Sequence, residues 1–354
     1  MLIYACISSH GYGHAARSAA VLVELAALRP HWRLVLSTAV AESFLTLAMG
    51  KVPFERRPCP WDVGVIQADA LGADPAATLE GLERLERELP QRLAQEAAWM
   101  RAQNVPLLVL ADVPPAAALL AERVGAPLVW LASFGWEAIY GPMGPAFTPW
   151  AERCLELYRR GGLLLACPLA MPMHWGVPVV PLGLTSSRPR LELASLAQEL
   201  RLPSERSSVV MVSFGGLGLD LDPGLLSLWP DHVFISPEAG VARAPNGRIL
   251  PTAVRPLDLL PLVGRWISKP GYSTFCEALS QQVGLHLVHR EGFAEAPVLE
   301  RALQRHGWHR LLSQEQFRCG EWQLDQPLLP PQEGPLASDG AAEAARALVG
   351  VVEG

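Results

Sequence analysis

The sequence predicts an α/β protein built as two facing, doubly wound domains with a cleft between them. Three observations predict it. The chain has 354 residues, 50% of them hydrophobic, enough to fill two cores. Short apolar runs of β type alternate with longer helical periodicities, the pattern of a parallel sheet covered on both faces. That alternation lapses once, near the middle of the chain, and then restarts.

In the first half, strands are expected over residues 2–8, 34–37, 107–111, 128–131 and 163–166, with helices over 15–28, 76–101, 115–123 and 150–160. The lapse is Thr185-Ser186-Ser187-Arg188-Pro189-Arg190, followed by a short polar helix and Pro203-Ser204-Glu205-Arg206; it reads as a linker. Beyond it, strands are expected over 208–212, 233–236, 265–268 and 285–289, and helices over 274–282, 296–305 and 341–351. The division predicted is therefore 1–190 and 191–354, with the last helix, 341–351, packing back toward the first domain.

Composition narrows the function classes. The net charge is −6 and no basic block occurs, so nucleic acid has no electrostatic footprint to bind. Six cysteines are scattered without a C-x-x-C spacing and read as reduced thiols of a cytoplasmic protein. Met1-Leu2-Ile3-Tyr4 enters the first strand directly, with no signal-peptide pattern, and the weakly charged stretch 162–184 is broken by Pro168, Pro172, Pro178 and Pro181. A soluble chain without a transmembrane segment is expected. Of 29 basic residues only Lys51 and Lys269 are lysine, so a lysine in a motif invites a specific reason.

In doubly wound sheets ligands bind outside the carboxyl ends of the strands. The first strand runs into Ser9-His10-Gly11-Tyr12-Gly13-His14-Ala15-Ala16-Arg17 and a long helix. Gly11-x-Gly13-x-x-Ala16 satisfies a relaxed dinucleotide fingerprint, but the second strand ends Leu36-Ser37-Thr38, without the acid that would hold a ribose. What remains is a glycine turn presenting His14 at a helix N-terminus, where the helix dipole favours a neutral, basic imidazole. His14 either serves as a base or merely packs the turn. Asp112 ends a neighbouring strand at the same edge, where its carboxylate either orients His14 or caps the helix at Pro114-Pro115.

In the second half, Ser213-Phe214-Gly215-Gly216-Leu217-Gly218 follows a strand and lets backbone N–H groups approach an anion, though it lacks the Lys of a P-loop. Ser268-Lys269-Pro270-Gly271-Tyr272-Ser273-Thr274 is stronger: free N–H groups, a positive helix end and an ammonium together suit a phosphate. Thr274-x-x-Glu277 also fits a capping box, so Glu277 either reaches back to its own helix start or accepts ribose hydroxyls. A third loop, His289 to Pro297, offers Arg290 and Glu295 to a ligand. Asp220-Leu221-Asp222 and His306-x-x-His309 lack the further ligands a metal needs, so no metal site is expected.

The His10-to-Arg17 loop, Asp112-Val113-Pro114-Pro115, Ser133-Phe134-Gly135-Trp136-Glu137-Ala138-Ile139-Tyr140 and Lys269-to-Thr274 with Glu277 resemble glycosyltransferases of the GT-B fold. They resemble in particular the glycosyltransferase-like half of plant L-arabinokinases and related bacterial proteins, over residues 1 to about 305. The resemblance implies two Rossmann-like domains, with a nucleotide-sugar donor held by the C-terminal one and an acceptor by the N-terminal one. It also implies no cofactor and no essential metal. In inverting relatives the loop histidine deprotonates the acceptor with help from an aspartate, a role that carries to His14 and Asp112. Gly13, Gly215, Gly216, Lys269, Gly271, Ser273, Thr274, Glu277 and Glu295 are the expected donor contacts, and His10 and Trp136 the expected acceptor contacts.

Arabinokinase-type relatives carry this region beside a sugar kinase domain, which does not follow here. Two other roles therefore stand beside transfer: a non-catalytic nucleotide-sugar sensor, and an epimerase on the same fold. The apolar run 141–147 suggests a lipid-linked acceptor and peripheral membrane contact.

Overall fold

The first strand, β1 (Leu2–Ile7), is buried along its whole length. Its alternate residues serve two different cores. Ile3, Ala5 and Ile7 face the helix Gly13–Leu28, whereas Leu2, Tyr4 and Cys6 face the helix Pro75–Ala102. A strand covered on both faces has no solvent side to mark with polar residues, which is why it reads as one apolar run.

The protein is described by a computed structural model, which covers all residues except 68–71, 216–220 and 291. With β2 (Arg33–Ser37), β3 (Glu55–Arg57), β4 (Leu107–Asp112), β5 (Leu128–Ala132), β6 (Leu163–Ala166) and β7 (Val179–Pro181), β1 forms a parallel sheet in the order β3-β2-β1-β4-β5-β6-β7. The second sheet is also parallel. It comprises β8 (Val209–Val212), β9 (Val233–Ser236), β10 (Gly247–Ile249), β11 (Arg265–Ser268), β12 (Gly284–Val288) and β13 (His309–Leu312), in the order β10-β9-β8-β11-β12-β13. Both are doubly wound, and in both the order reverses beside the first strand of its half. The crevices at these switch points, β1/β4 and β8/β11, are where such sheets receive ligands.

Register sets what stands there. β1 pairs with β4 so that Ile7 lies opposite Asp112, which brings Asp112 level with the loop that presents His14. β11 pairs with β8 so that Ile267 lies opposite Val212; one residue on, the Ser268 hydroxyl donates to the Ser213 carbonyl (2.8 Å), so the loops that carry Lys269 and Gly215 leave the same sheet edge. Residues 185–190, between the sheets, have no regular structure. The Arg190 backbone N–H donates to Asp258 Oδ1 (2.7 Å) and its guanidinium to the Ala48 carbonyl (3.3 Å), tying the connection to both halves.

The helix Gly340–Glu353 packs on Gly13–Leu28 of the first half. Apolar Ala341, Ala344, Ala345 and Leu348 supply the contact, Glu343 accepts the Gly183 N–H (2.7 Å), and Arg29 meets Glu353 (2.7 Å). One apolar core consequently runs from β1 through both halves to this last helix.

Candidate active site in the cleft

A cavity of about 820 Å³ lies between the halves and is lined by both. On the first-half wall, the helix Gly13–Leu28 starts with Tyr12 as N-cap and no side-chain cap bond. Its first turn is free to carry function. His14 is 7% exposed, and its Nδ1 lies 2.8 Å from Asp112 Oδ1. The capping alternative for Asp112 does not occur, because both carboxylate oxygens are engaged elsewhere. Arg17 Nε and Ser18 Oγ donate to Oδ2 at 3.0 and 2.8 Å, and Arg17 Nη2 donates to Oδ1 beside the histidine. Burial alone would raise the Asp112 pKa; Arg17 and then His14 outweigh it and hold the carboxyl down at about 2. An imidazole whose Nδ1 is held by a permanent carboxylate keeps Nε2 for a proton acceptor's role.

Val113, directly after Asp112, is a buried β-branched residue at φ 81°, in the left-handed region. Such a conformation costs of order 1–3 kcal/mol and persists where the surroundings impose it. Here the Val113 carbonyl accepts the Tyr158 hydroxyl (2.7 Å), anchoring the turn that aims Asp112.

Deeper in the same wall, His10 sets its ring edge-on to Trp136 (5.4 Å) and stacks with Phe293 (6.2 Å). Burial, then the neighbouring His14, Arg290 and Lys269, push its pKa down to about 3, so it stands neutral. Asp62, buried beneath, accepts Ser8 Oγ (3.0 Å) and the Trp136 indole N–H (2.9 Å). Burial raises its pKa against these two bonds.

On the opposite wall, the helix Tyr272–Ser280 has Gly271 as N-cap and again no side-chain cap. Lys269, Gly271, Ser273, Thr274 and Glu277 all line the cavity, as does Gly215, at φ 56°. Of the two alternatives for Glu277, the capping box with Thr274 does not form. The helix begins two residues earlier, at Tyr272, so Thr274 is inside the first turn and Glu277 one turn on. Glu277 is half-buried in the cavity wall, and burial raises its pKa to about 7 despite Arg255, with Asp258 adding to the rise. Gly216 and Asp220 lie outside the described residues.

The two walls touch. Ser273 Oγ donates to the Gly13 carbonyl (2.9 Å), and the Arg17 guanidinium lies 4.8 Å above the Tyr272 ring. Glu295, on the second half, comes within 3.4 Å of Ser133 Oγ on the first, and burial raises its pKa to about 7 against the pull of His14 and Arg17.

The architecture has known counterparts. Calicheamicin glycosyltransferase CalG4 superposes with a TM-score of 0.63 at 16% identity, over 99% of this chain and 98% of that one. A UDP-glucosyltransferase from Polygonum tinctorium gives 0.63 at 14% identity, over 100% and 98%. Phytolacca americana UGT2, bound to UDP-2fluoro-glucose and pterostilbene, gives 0.59 at 15%, over 98% and 89%. The chain has the GT-B fold. In sequence it is 26% identical over 324 residues to L-arabinokinase of Arabidopsis thaliana, covering 89% of this chain and 31% of the relative. The chain thus spans about a third of the curated relative's length. No family model matches.

Of the expected residues, His10, Gly13, His14, Gly215, Lys269, Gly271, Ser273, Thr274, Glu277 and Glu295 line this cavity and Asp112 stands behind His14, whereas Trp136 and residues 141–147 do not reach it. Trp136 is fully buried behind His10 with its indole N–H committed to Asp62, so it reaches the cleft only through His10. Large aromatics are favoured in cores, and this one backs the site without lining it. Residues 141–147 likewise contribute nothing to the cavity wall; Phe147 packs into the first-half core beside Tyr140. Glu295 stands at the cleft but faces the His14 network as well as the second half. Sequence reasoning gave Arg17, Ser18 and Ser133 no role. The spacing from His14 to Arg17 and Ser18, three and four residues along one helix, is the signal that places all three on one face. Among the described residues no cluster of His, Cys, Asp and Glu is arranged to hold a metal, and no helix is long and apolar enough to cross a membrane.

Proposed function

We propose that this protein is an inverting glycosyltransferase that moves a sugar from a uridine diphosphate donor to an acceptor hydroxyl. The observation that carries the reading is the pairing of His14 with Asp112 at 2.8 Å on one wall of a cavity whose other wall is an uncapped helix N-terminus beside Lys269. The uridine nucleotide rests on the structural relatives, which are described with UDP, UDP-2fluoro-glucose and UDP-L-rhamnose.

In this reading the donor lies along the second-half wall. Glu277 accepts the ribose hydroxyls. The diphosphate sits at the Tyr272–Ser280 helix end, against Gly215, Thr274 and the Lys269 ammonium. The acceptor enters from the first-half side, past Tyr12, Phe44, Val63 and Val65, with its hydroxyl near His14. His14 Nε2 takes the hydroxyl proton as the oxygen attacks the anomeric carbon. The bond to the diphosphate breaks with its electron pair on the leaving oxygen, where Lys269 and the helix N–H groups stabilise the charge. Asp112 accepts the Nδ1–H throughout and stabilises the imidazolium. No step is assigned to a metal or cofactor. The buried free cysteines suit a reducing compartment, and we place the protein in the cytoplasm.

Thermal-shift screening against nucleotides and nucleotide sugars tests the donor, since a ligand of the native state raises its melting temperature. Uridine diphosphate sugars should give the largest rise. Product analysis with the best donor and a mixed acceptor set then tests transfer. Donor binding without transfer or hydrolysis would favour a sensor, and interconversion of the sugar without acceptor an epimerase.

A further inference from the structure

We propose that Arg17 is a positioning residue that holds His14 in its proton-accepting form and links it to the seating of the second half. This rests on the assignment of His14 as base. Arg17 is 2% exposed and follows His14 by three residues on one helix, so both side chains leave the same face. Its guanidinium donates through Nε to Asp112 Oδ2 (3.0 Å), through Nη2 to Asp112 Oδ1, and through Nη1 to Ser133 Oγ (2.9 Å). Nη2 also lies 3.2 Å from His14 Nδ1.

This arrangement has two chemical consequences. A carboxylate gripped by a planar fork cannot rotate away from the imidazole, so the tautomer with hydrogen on Nδ1 and a free Nε2 is enforced. A neutral imidazole with one carboxylate and one guanidinium sums to zero charge, whereas a protonated ring would add a second cation beside Arg17. Arg17 thus offsets the buried Asp112 carboxylate, so the charge that Asp112 brings beside the ring is compensated. Other groups act on the same ring: Asp62 and Glu295 as acids, and His10 as a neutral imidazole that is itself acted on by Arg290 and Lys269. None of these grips Asp112.

The same guanidinium meets the second half. Its Cζ lies 4.8 Å from the centre of the Tyr272 ring, and its partner Ser133 stands 3.4 Å from Glu295. Tyr272 opens the helix assigned to the donor and Glu295 opens the helix Ala296–His306. A shift of the second half against the first is thus felt at the group that orients the base.

The test compares Arg17→Met and Arg17→Lys with the wild type, using pH–rate profiles of kcat at saturating donor, where the Glu277 titration that governs donor affinity drops out, and donor binding by thermal shift. In Arg17→Met the acid limb should move to higher pH by about one unit, with donor binding unchanged. In Arg17→Lys the charge stays and the fork is lost, so the limb should keep its place while kcat falls on the order of tenfold. An acid limb unmoved in folded Arg17→Met, or Lys and Met variants that behave alike, would overturn the proposal. Should Arg17→Met not fold, the ¹⁵N spectrum of labelled histidine decides with Arg17→Lys: mixed His14 tautomers support the proposal, and a single Nδ1–H tautomer as in the wild type overturns it. Failure of the base assignment itself is distinguishable, because His14→Ala would then retain full turnover.

Discussion

The loop after β1 and the loop after β11 use the same backbone device for different work. Each leaves an inner strand at the point where its sheet order reverses, and each opens a helix whose N-cap makes no side-chain bond. In the first loop the opening turn gathers His14, Arg17 and Ser18 around one buried aspartate. In the second, Lys269, Thr274 and Glu277 are spread along the cavity wall. The difference teaches that a helix N-terminus is a generic electropositive seat. The side chains of its first turn decide whether it manages a proton or holds an anion.

The comparison breaks most sharply at His14. His14→Ala should lower turnover by about a thousandfold and leave the donor-induced rise in melting temperature intact; equal losses in both measurements would merge the two loops into one binding site. Next in size is Lys269→Met. It should weaken nucleotide-sugar affinity by about 2 kcal/mol, read by calorimetry, because the diphosphate loses its ammonium. If affinity holds while turnover falls, Lys269 belongs to the chemistry and the division of labour fails.

Glu277 sharpens the second loop through pH. Burial raises its carboxyl to about 7, so the ribose-accepting carboxylate forms only as pH rises through that value. Affinity for a nucleotide sugar, whose diphosphate does not titrate there, should increase several-fold between about pH 6 and 8, and Glu277→Gln should flatten the curve. The folded pKa exceeds the unfolded one, so this group's contribution to stability falls as pH rises from 4.5 through about 7. Glu277→Gln should accordingly gain melting temperature relative to wild type above pH 7. The smallest effect is expected for Ser273→Ala. It removes one bond between the loops, to the Gly13 carbonyl, and should cost about 1 kcal/mol of stability with a modest fall in kcat.

How much of this is legible in the chain depends on how local the cause is. β1, β4 and β5 are continuous apolar runs because both faces are covered, so their presence and parallel pairing follow from pattern. β3 (Glu-Arg-Arg), β7 (Val-Val-Pro) and β10 (Gly-Arg-Ile) are three residues each, too short to carry a period, and go unread. Thr274 and Glu277 have capping-box spacing, yet the helix is already capped at Gly271 and begins at Tyr272, so Thr274 sits inside the first turn and that cap does not form. Trp136 is expected among the acceptor contacts, and its packing against Asp62 and Tyr140 instead places it in the core behind His10.

By itself the sequence determined the two parallel sheets, the strand ends that meet at the cleft, and the residue types of both loops, because apolar periodicity and glycine turns act over a few residues. The tertiary structure decided which side chains meet. Asp112 is 98 residues from His14 and Ser133 is 116 from Arg17, and burial turns those contacts into committed hydrogen bonds that no local pattern encodes. It also decided that Ser273 joins the two loops and that Trp136 stands behind the cleft, since both outcomes depend on how one half is seated on the other and how each core fills.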